Sequence, residues 1–325
     1  MNTVNETIAS RQSGRLLYLE IWNLVNRLFY DADRLVEADW EGKKTIYDAR
    51  IVDEQSALAC AAEAIASLGD RYTQLVDATQ YAERRADLES HESSVIARIL
   101  PGNIAYLRIE TFFQEDIFAQ VTAAVEKLAA CDGLILDVRD NGGGLLDETG
   151  HCCEYFVKEG TVSGFVHRTE GGLYERAVGC NEEAFIVIEE RDGKQQEPEL
   201  FMRRPPLMAG KPTVVLINGG TGSAAEVFAS AVLVNGKRHG KCIALGTESA
   251  GKGIAQSVFS TPDGKARVQI SCAKFLDANL EWLGDSGQRV RNGIKPDVTA
   301  DDTESFTAPM SAAYEHLKRR LGVCQ

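Results

Sequence analysis

The sequence predicts an α/β protein with a small helical N-terminal region, and three observations carry that expectation. Apolar residues recur at helical spacing through residues 15–35, among them Leu17, Ile21, Trp22, Val25 and Phe29. From Val95 onward the chain changes to short apolar runs separated by amphipathic stretches, the pattern of strands alternating with helices. Two of those runs end in glycine clusters, each followed by an expected helix.

Taken in order, helical spacing over residues 15–35 and 56–68, followed by a charged helical stretch over 81–92, defines an N-terminal region spanning residues 1–93. The remainder, 94–325, reads as a core. Strands at 95–100 and 104–109 precede a helix at about 115–130, a strand at 134–138, a helix at 145–157 and a strand at 161–168, and this alternation implies partly parallel pairing. Residues 171–210 form an insertion with a strand-like piece at 184–190 and the polar turn Arg191-Asp192-Gly193-Lys194. Loops of this length are uncommon in compact domains unless they have a role, so the segment is either a surface insertion or a substrate-binding flap. The apolar run 212–218 is a buried strand, and residues 305–321, with Met310, Ala313, Tyr314 and Leu317 on one face, form a closing helix.

Composition narrows the function. A chain of 325 residues with 44% hydrophobic residues has ample material for a core. Its 48 acidic against 35 basic residues leave a net charge of −13, which argues against nucleic acid or anionic membranes as partners. Eight cysteines, including the adjacent Cys152-Cys153, lack C-x-x-C spacing and read as reduced thiols. Met1-Asn2-Thr3-Val4-Asn5-Glu6 has no basic segment followed by an apolar one, so a cytoplasmic location is expected. No His/Glu spacing suggests a metal, and nothing calls for a cofactor.

The chemistry is concentrated in three segments. Gly222-Ser223-Ala224-Ala225-Glu226 follows the 212–218 strand, so Ser223 opens a helix at a sharp junction, where unpaired amides of the first turn stabilise negative charge on a carbonyl oxygen. A serine hydroxyl needs a base at neutral pH. Lys252, within Ser249-Ala250-Gly251-Lys252-Gly253, is the candidate, because flanking glycines permit close backbone approach and burial favours the neutral amine. Gln256, four residues on, is placed to hydrogen-bond that amine. The third segment, Leu136-Asp137-Val138-Arg139-Asp140-Asn141-Gly142-Gly143-Gly144, runs from a strand into three glycines whose amides suit half of an oxyanion hole. Its spacing fits neither phosphate-binding motif. An N-cap serine with an exposed turn lysine, or a plain tight turn, are the alternative readings of each segment alone.

In their order, these segments, with Gly102-Asn103-Ile104-Ala105-Tyr106-Leu107-Arg108-Ile109 upstream and Gly293-Ile294-Lys295-Pro296-Asp297-Val298 downstream, resemble the C-terminal processing peptidases, or tail-specific proteases. Leu68-Gly69-Asp70-Arg71-Tyr72-Thr73 is a fainter echo of the same family. The resemblance implies a crotonase-like (β-β-α) catalytic core and a serine endopeptidase acting on unfolded or flexible protein segments. By position it assigns Ser223 as nucleophile, Lys252 as general base, Gln256 as the residue orienting it, and Ala224 with Gly143 or Gly144 as the oxyanion hole. The expected partners are a protein or peptide substrate and, in a homo-oligomer, a second copy of the chain. Two departures stand out. The family's PDZ domain is missing, since residues 75–100 are too few to hold one. Where several members carry an aspartate in the helix after the serine, this chain reads Val232-Leu233-Val234.

Rival readings have weaker residue support. His151 and His239 are candidate bases for a Ser-His pair, but both sit in settings typical of solvated histidines. A non-catalytic peptide or apolar-ligand binder on the same fold would not need Ser223, Lys252 and Gln256 together. An acyl-CoA enzyme would call for a basic patch for the nucleotide phosphates, and no such cluster stands out.

Overall fold

The computed structural model describes residues 2–89, 92–169, 172–301 and 305–323. Its first elements are α1 (Asn2–Leu28), α2 (Ala32–Glu37), α3 (Lys43–Ile46), α4 (Glu54–Ala66), β1 (Gln74–Leu75) and α5 (Ala78–Leu88). Then come β2 (Val95–Leu100), β3 (Ile104–Ile109), α6 (Ile117–Leu128), β4 (Gly133–Asp137), α7 (Leu146–Cys152) and the strands β5 (Gly160–Thr169), β6 (Gly172–Cys180), β7 (Ala184–Arg191), β8 (Lys194–Gln195) and β9 (Glu199–Met202). The remainder is β10 (Thr213–Ile217), α8 (Ala224–Arg238), β11 (Cys242–Gly246), β12 (Ile254–Ser260), β13 (Arg267–Leu276), β14 (Val298–Thr299) and α9 (Thr307–Leu321). These elements gather into two compact units. The first holds Met1–Arg85, Val166–Tyr174 and Ile254–Lys274, and the second Ala86–Phe165, Glu175–Gly253 and Phe275–Gln325.

The first unit is built on α1. Its buried stripe of Leu17, Tyr18, Ile21, Trp22 and Val25 follows the helical period, and α4 packs on it through small residues such as Ala57, Ala61 and Ala64. Trp22 stacks on Trp40 at 6.4 Å and donates its indole N–H to the Trp40 carbonyl at 2.8 Å, so the ring's one polar group is satisfied where it is buried. The helix expected over 15–35 is in fact two, because Phe29 and Tyr30 turn into the core and Asp31 caps α2 by accepting from the Arg34 amide. The charged helix expected over 81–92 runs instead over Ala78–Leu88, and residues 90 and 91 lie outside the described part. The unit also contains the antiparallel pair β12–β13, with β1 on the far side of β13 and a register shift between Ala255 and Gln256.

The second unit is organised by a six-stranded sheet in the order β14-β11-β10-β4-β3-β2, parallel throughout except for the edge strand β2. Every residue of β4 and β10 is buried, as the near-continuous Val/Leu/Ile runs require of strands covered on both faces. Side-chain alternation sorts them. Leu134, Leu136, Val215 and Ile217 join a large core with α6, α7 and α8, whereas Ile135, Val214 and Leu216 face Ala313 and Leu317 of α9. Phe228 anchors α8 between Phe112 at 5.2 Å and Phe156 at 5.3 Å, a contact whose truncation to Ala removes about 3–5 kcal/mol.

Two expectations change here. The helix expected over 145–157 stops at Cys152 and tightens into a 3₁₀ turn at Cys153–Tyr155. The 171–210 insertion is mostly strand, with β9 and then β8 lying antiparallel along β7; Gly171 itself lies outside the described residues. Turn signals at Asp192-Gly193 and Pro198 separate these strands.

Candidate active site

Ser223, Lys252 and the glycine cluster follow the C-terminal ends of three adjacent parallel strands, β10, β11 and β4, and β10 is the middle one. In open parallel sheets that edge is where ligands bind, since the loops there converge on one crevice. Direct hydrogen bonds join the three loops. From the β10 loop, the Gly222 amide donates to the Asn141 carbonyl at 2.9 Å, and the Thr221 hydroxyl donates to the Val138 carbonyl at 2.8 Å. From the β11 loop, the Ala250 amide donates to the Thr221 carbonyl at 2.9 Å. Asn218 and Asp140 add a reciprocal pair, with the Asp140 amide donating to Asn218 Oδ1 and Asn218 Nδ2 donating to Asp140 Oδ1, both at 2.9 Å.

Ser223 has φ 57° and ψ −126°, a backbone conformation that a residue with a side chain adopts at a cost of about 1–3 kcal/mol. It is half-buried and stands immediately before α8. The Ala224 amide, first in that helix, makes no hydrogen bond among the described residues. It therefore presents the partial positive charge of a helix N-terminus beside the serine.

The glycine cluster comes up against this junction. A Cβ on Gly143 would stand 2.8 Å from the Ala224 nitrogen and 2.8 Å from Ser223 Cβ, so only glycine allows the approach. A Cβ on Gly144, where φ is 154°, would meet the Phe112 carbonyl carbon at 2.0 Å. The two amides differ. Gly143 donates its N–H to Asn141 Oδ1 at 2.9 Å, whereas the Gly144 amide has no partner among the described residues. Of the two glycines assigned to the oxyanion hole, Gly144 thus has the open donor, and Gly143 supplies the close approach.

Lys252 is half-buried, and its segment is held from both sides. The Gly253 amide donates to the Gly284 carbonyl at 2.7 Å, and the Gly253 carbonyl accepts from the Trp282 indole and the Phe275 amide, each at 2.8 Å. A Cβ on Gly253 would lie 2.8 Å from Leu283 Cβ, which is the close packing that the glycine-flanked lysine implied. Lys252 and Asp285 are paired across an antiparallel bridge. Gln256 belongs to the first unit, on β12, where its side-chain amide donates to the Ile254 carbonyl at 3.0 Å.

The sequence reading assigned no role to Glu226, which is fully buried and sits at the centre of this arrangement. Its Oε2 accepts the Ser223 amide at 3.0 Å and the Lys252 amide at 2.8 Å. Its Oε1 accepts the Gly251 amide at 2.7 Å and the Ser249 hydroxyl at 2.5 Å. Burial pushes the Glu226 carboxyl above its ordinary value, opposed by these four donors. The S-x-x-E spacing from Ser223 to Glu226 is the signature of a helix-capping glutamate and would have drawn attention to it.

Other nucleophile and base candidates are placed differently. His239 caps the far end of α8, about 22 Å of helix away from Ser223. His151, near the end of α7, rests its ring 5.6 Å from Phe118 and 6.5 Å from Phe185. Cys152 and Cys153 are buried with their thiols held protonated by desolvation, and the same cause pushes Cys242 up to about 12, so none is a ready thiolate. Among the described residues, no group of three or more His, Cys, Asp or Glu could hold a metal ion, and no helix is long and apolar enough to cross a membrane.

The sequence profile of peptidase family S41 matches residues 103–300, which contain Ser223, Lys252, Gln256 and the glycine cluster. The carboxy-terminal processing protease CtpA of Bacillus subtilis is 28% identical over 210 residues, 64% of this chain and 37% of that protein. A probable CtpA-like serine protease of Staphylococcus aureus is 30% identical over 204 residues, 62% of this chain and 34% of that protein. The chain thus matches these relatives over about a third of their length. Among solved structures, the photosystem II D1 C-terminal processing protease superposes with a TM-score of 0.66 at 18% identity, covering 90% of this chain and 94% of that one. A lipoprotein from Streptococcus agalactiae gives 0.62 at 17% identity, covering 95% and 97%. Both likenesses concern the fold. With a family profile that covers well over half of its residues, this chain belongs to peptidase family S41.

Proposed function

We propose that this protein is a serine endopeptidase that cuts unfolded or flexible protein segments, near their C-termini, by a Ser-Lys acyl-enzyme mechanism. Ser223 Oγ attacks the scissile carbonyl carbon while neutral Lys252 takes its proton. The resulting oxyanion is held by the Ala224 and Gly144 amides. Collapse expels the amine, to which Lys252 returns the proton, and leaves an acyl ester on Ser223. Water then attacks the ester with Lys252 again as base.

One observation carries the reading most: a strained Ser223 directly precedes the unpartnered Ala224 amide, lies against Gly143 of the glycine cluster, and shares a carboxylate with the lysine segment. Strain at a residue of this type marks functional sites, where the surrounding structure over-determines it. Family membership supports the reaction class, and the names of the relatives support a C-terminal processing role.

The finer architecture belongs to the same proposal. We read a helical region over 1–93 and a crotonase-like core over 94–325, supported by the repeated strand–loop–helix units β4–α7 and β10–α8. The interval between β1 and β2 holds α5, which leaves substrate selection to elements other than a PDZ domain inserted there. The seven described cysteines are unpaired thiols, six of them buried, which supports a reducing, cytoplasmic setting.

The test compares wild type, Ser223→Ala and Lys252→Ala on an unstructured protein, with products followed by intact mass from neutral to alkaline pH. Cleavage by wild type alone, rising as the lysine loses its proton, is the expected result. Equal cleavage by all three would remove Ser223 and Lys252 from the mechanism.

A further inference from the structure

We propose that Glu226 is the positioning residue of this site, a buried carboxylate that fixes the nucleophile segment and the base segment in one geometry. The inference rests on the Ser223–Lys252 reading and adds to it a requirement for a residue that touches no substrate. A helix-capping glutamate needs partners only at its own helix end. Glu226 makes that bond to Ser223, but its other three partners, Ser249, Gly251 and Lys252, belong to the loop that carries the lysine.

The donor count also fits. An ionised carboxylate offers about four lone-pair sites, and here four donors meet them. Three are backbone N–H groups, which cannot reverse their polarity, and the fourth is the Ser249 hydroxyl, whose oxygen accepts the Ile294 amide at 2.6 Å. A neutral side chain of the same shape cannot accept all four. Glu226→Gln would bring an NH₂ group against either the Ser249–Gly251 side or the Ser223–Lys252 side, and the loops would separate there. Displacements of about 1 Å between reacting groups lower rates by about 100-fold, because the near-attack geometry is lost while the substrate contacts remain.

The experiment uses the full chain as wild type, Glu226→Gln, Ser249→Ala, Ser223→Ala and Lys252→Ala. Each is read by melting curve, by kcat and KM on an unstructured protein, and by the rate of covalent labelling with a fluorophosphonate. Labelling reports serine nucleophilicity without any substrate. In folded Glu226→Gln, kcat and labelling rate are expected to fall together by about 100-fold with KM within about twofold. Ser249→Ala, which keeps the charge and loses one donor, is expected to fall less and with the same split, and it carries the test if Glu226→Gln does not fold.

Labelling at the wild-type rate in whichever of these variants is folded would overturn the positioning role. So would a loss of activity that follows only the unfolded fraction. A wild type that is not labelled, or a Ser223→Ala protein that still is, would overturn the dyad itself and the proposal with it. Normal labelling of wild type and of Glu226→Gln, with none in Ser223→Ala, would remove Glu226 alone.

Discussion

The backbone amides of Ser223 and Lys252, 29 positions apart in the sequence, end on the same atom, Glu226 Oε2, at 3.0 and 2.8 Å. Two loops that share one acceptor cannot move independently by more than the slack of a hydrogen bond. The arrangement follows from topology: β10 and β11 are parallel neighbours, so their C-terminal loops leave the sheet side by side, and Glu226 in the first turn of α8 reaches from one to the other.

Ser223 is held at φ 57° and ψ −126°, so its replacement by glycine is expected to trade function for stability. Glycine adopts positive φ at little cost, and relief of the strain is worth on the order of 1–2 kcal/mol. Ser223→Gly should therefore unfold at higher denaturant than wild type and have no peptidase activity, whereas Ser223→Ala should be inactive without that gain. Equal or lower stability of the glycine variant in urea titrations would mean that the backbone at 223 is not strained.

Gly144→Ala tests the other side of the proposed oxyanion site. The added methyl would fall 2.0 Å from the Phe112 carbonyl carbon, and backbone atoms cannot yield as a flexible side chain does. The loop must shift, breaking the Phe112 amide to Gly143 carbonyl bond and the Leu145 amide to Phe112 carbonyl bond, now 3.0 and 2.9 Å. A loss of about 2–4 kcal/mol in stability and at least 100-fold in kcat is expected. A folded variant with full kcat would mean that the loop shift forced at residue 144 does not disturb the proposed oxyanion donors.

How far the sequence reached is clearest at particular residues. Strands β2 and β3 fall on the residues their apolar runs marked, because Gly102 and Asn103 punctuate them locally. The junctions at Gly144 and Ser223 were legible for the same reason. The role of Glu226 is not legible in its motif, since three of its partners arrive from residues 249–252 through sheet order, which no local pattern encodes. The difference between Gly143 and Gly144 was hidden likewise, being set by the single bond from Gly143 to the Asn141 side chain. In the 171–210 insertion, exposed residues throughout β9, including Leu200, Phe201 and Met202, give no half-buried alternation from which to read a strand.

The histidines give a negative control. His239 lies beyond the end of α8 and His151 packs on Phe118, so His239→Ala and His151→Ala are expected to keep kcat/KM within about twofold of wild type, as for surface changes away from the chemistry. A drop of a hundredfold or more in either variant, with the melting curve unchanged, would point to a Ser-His mechanism instead.

Glu226 also sets a pH dependence of folding whose sign follows from its surroundings. Burial raises its folded-state carboxyl above the ordinary value of 4.5, so the folded protein binds a proton at Glu226 more tightly than the unfolded chain does. That contribution to stability is complete below 4.5 and is lost as pH rises through the higher folded value. Glu226→Gln has no proton to lose. The stability of wild type relative to Glu226→Gln, measured by urea unfolding at a series of pH values from 4 upward, should decline with rising pH and then level off. The decline is confined to the window just above the unfolded value, because once Glu226 is ionised in both states no further proton is released. A difference that increases with pH over that window would mean that the four donors outweigh desolvation and hold the carboxylate below its ordinary value.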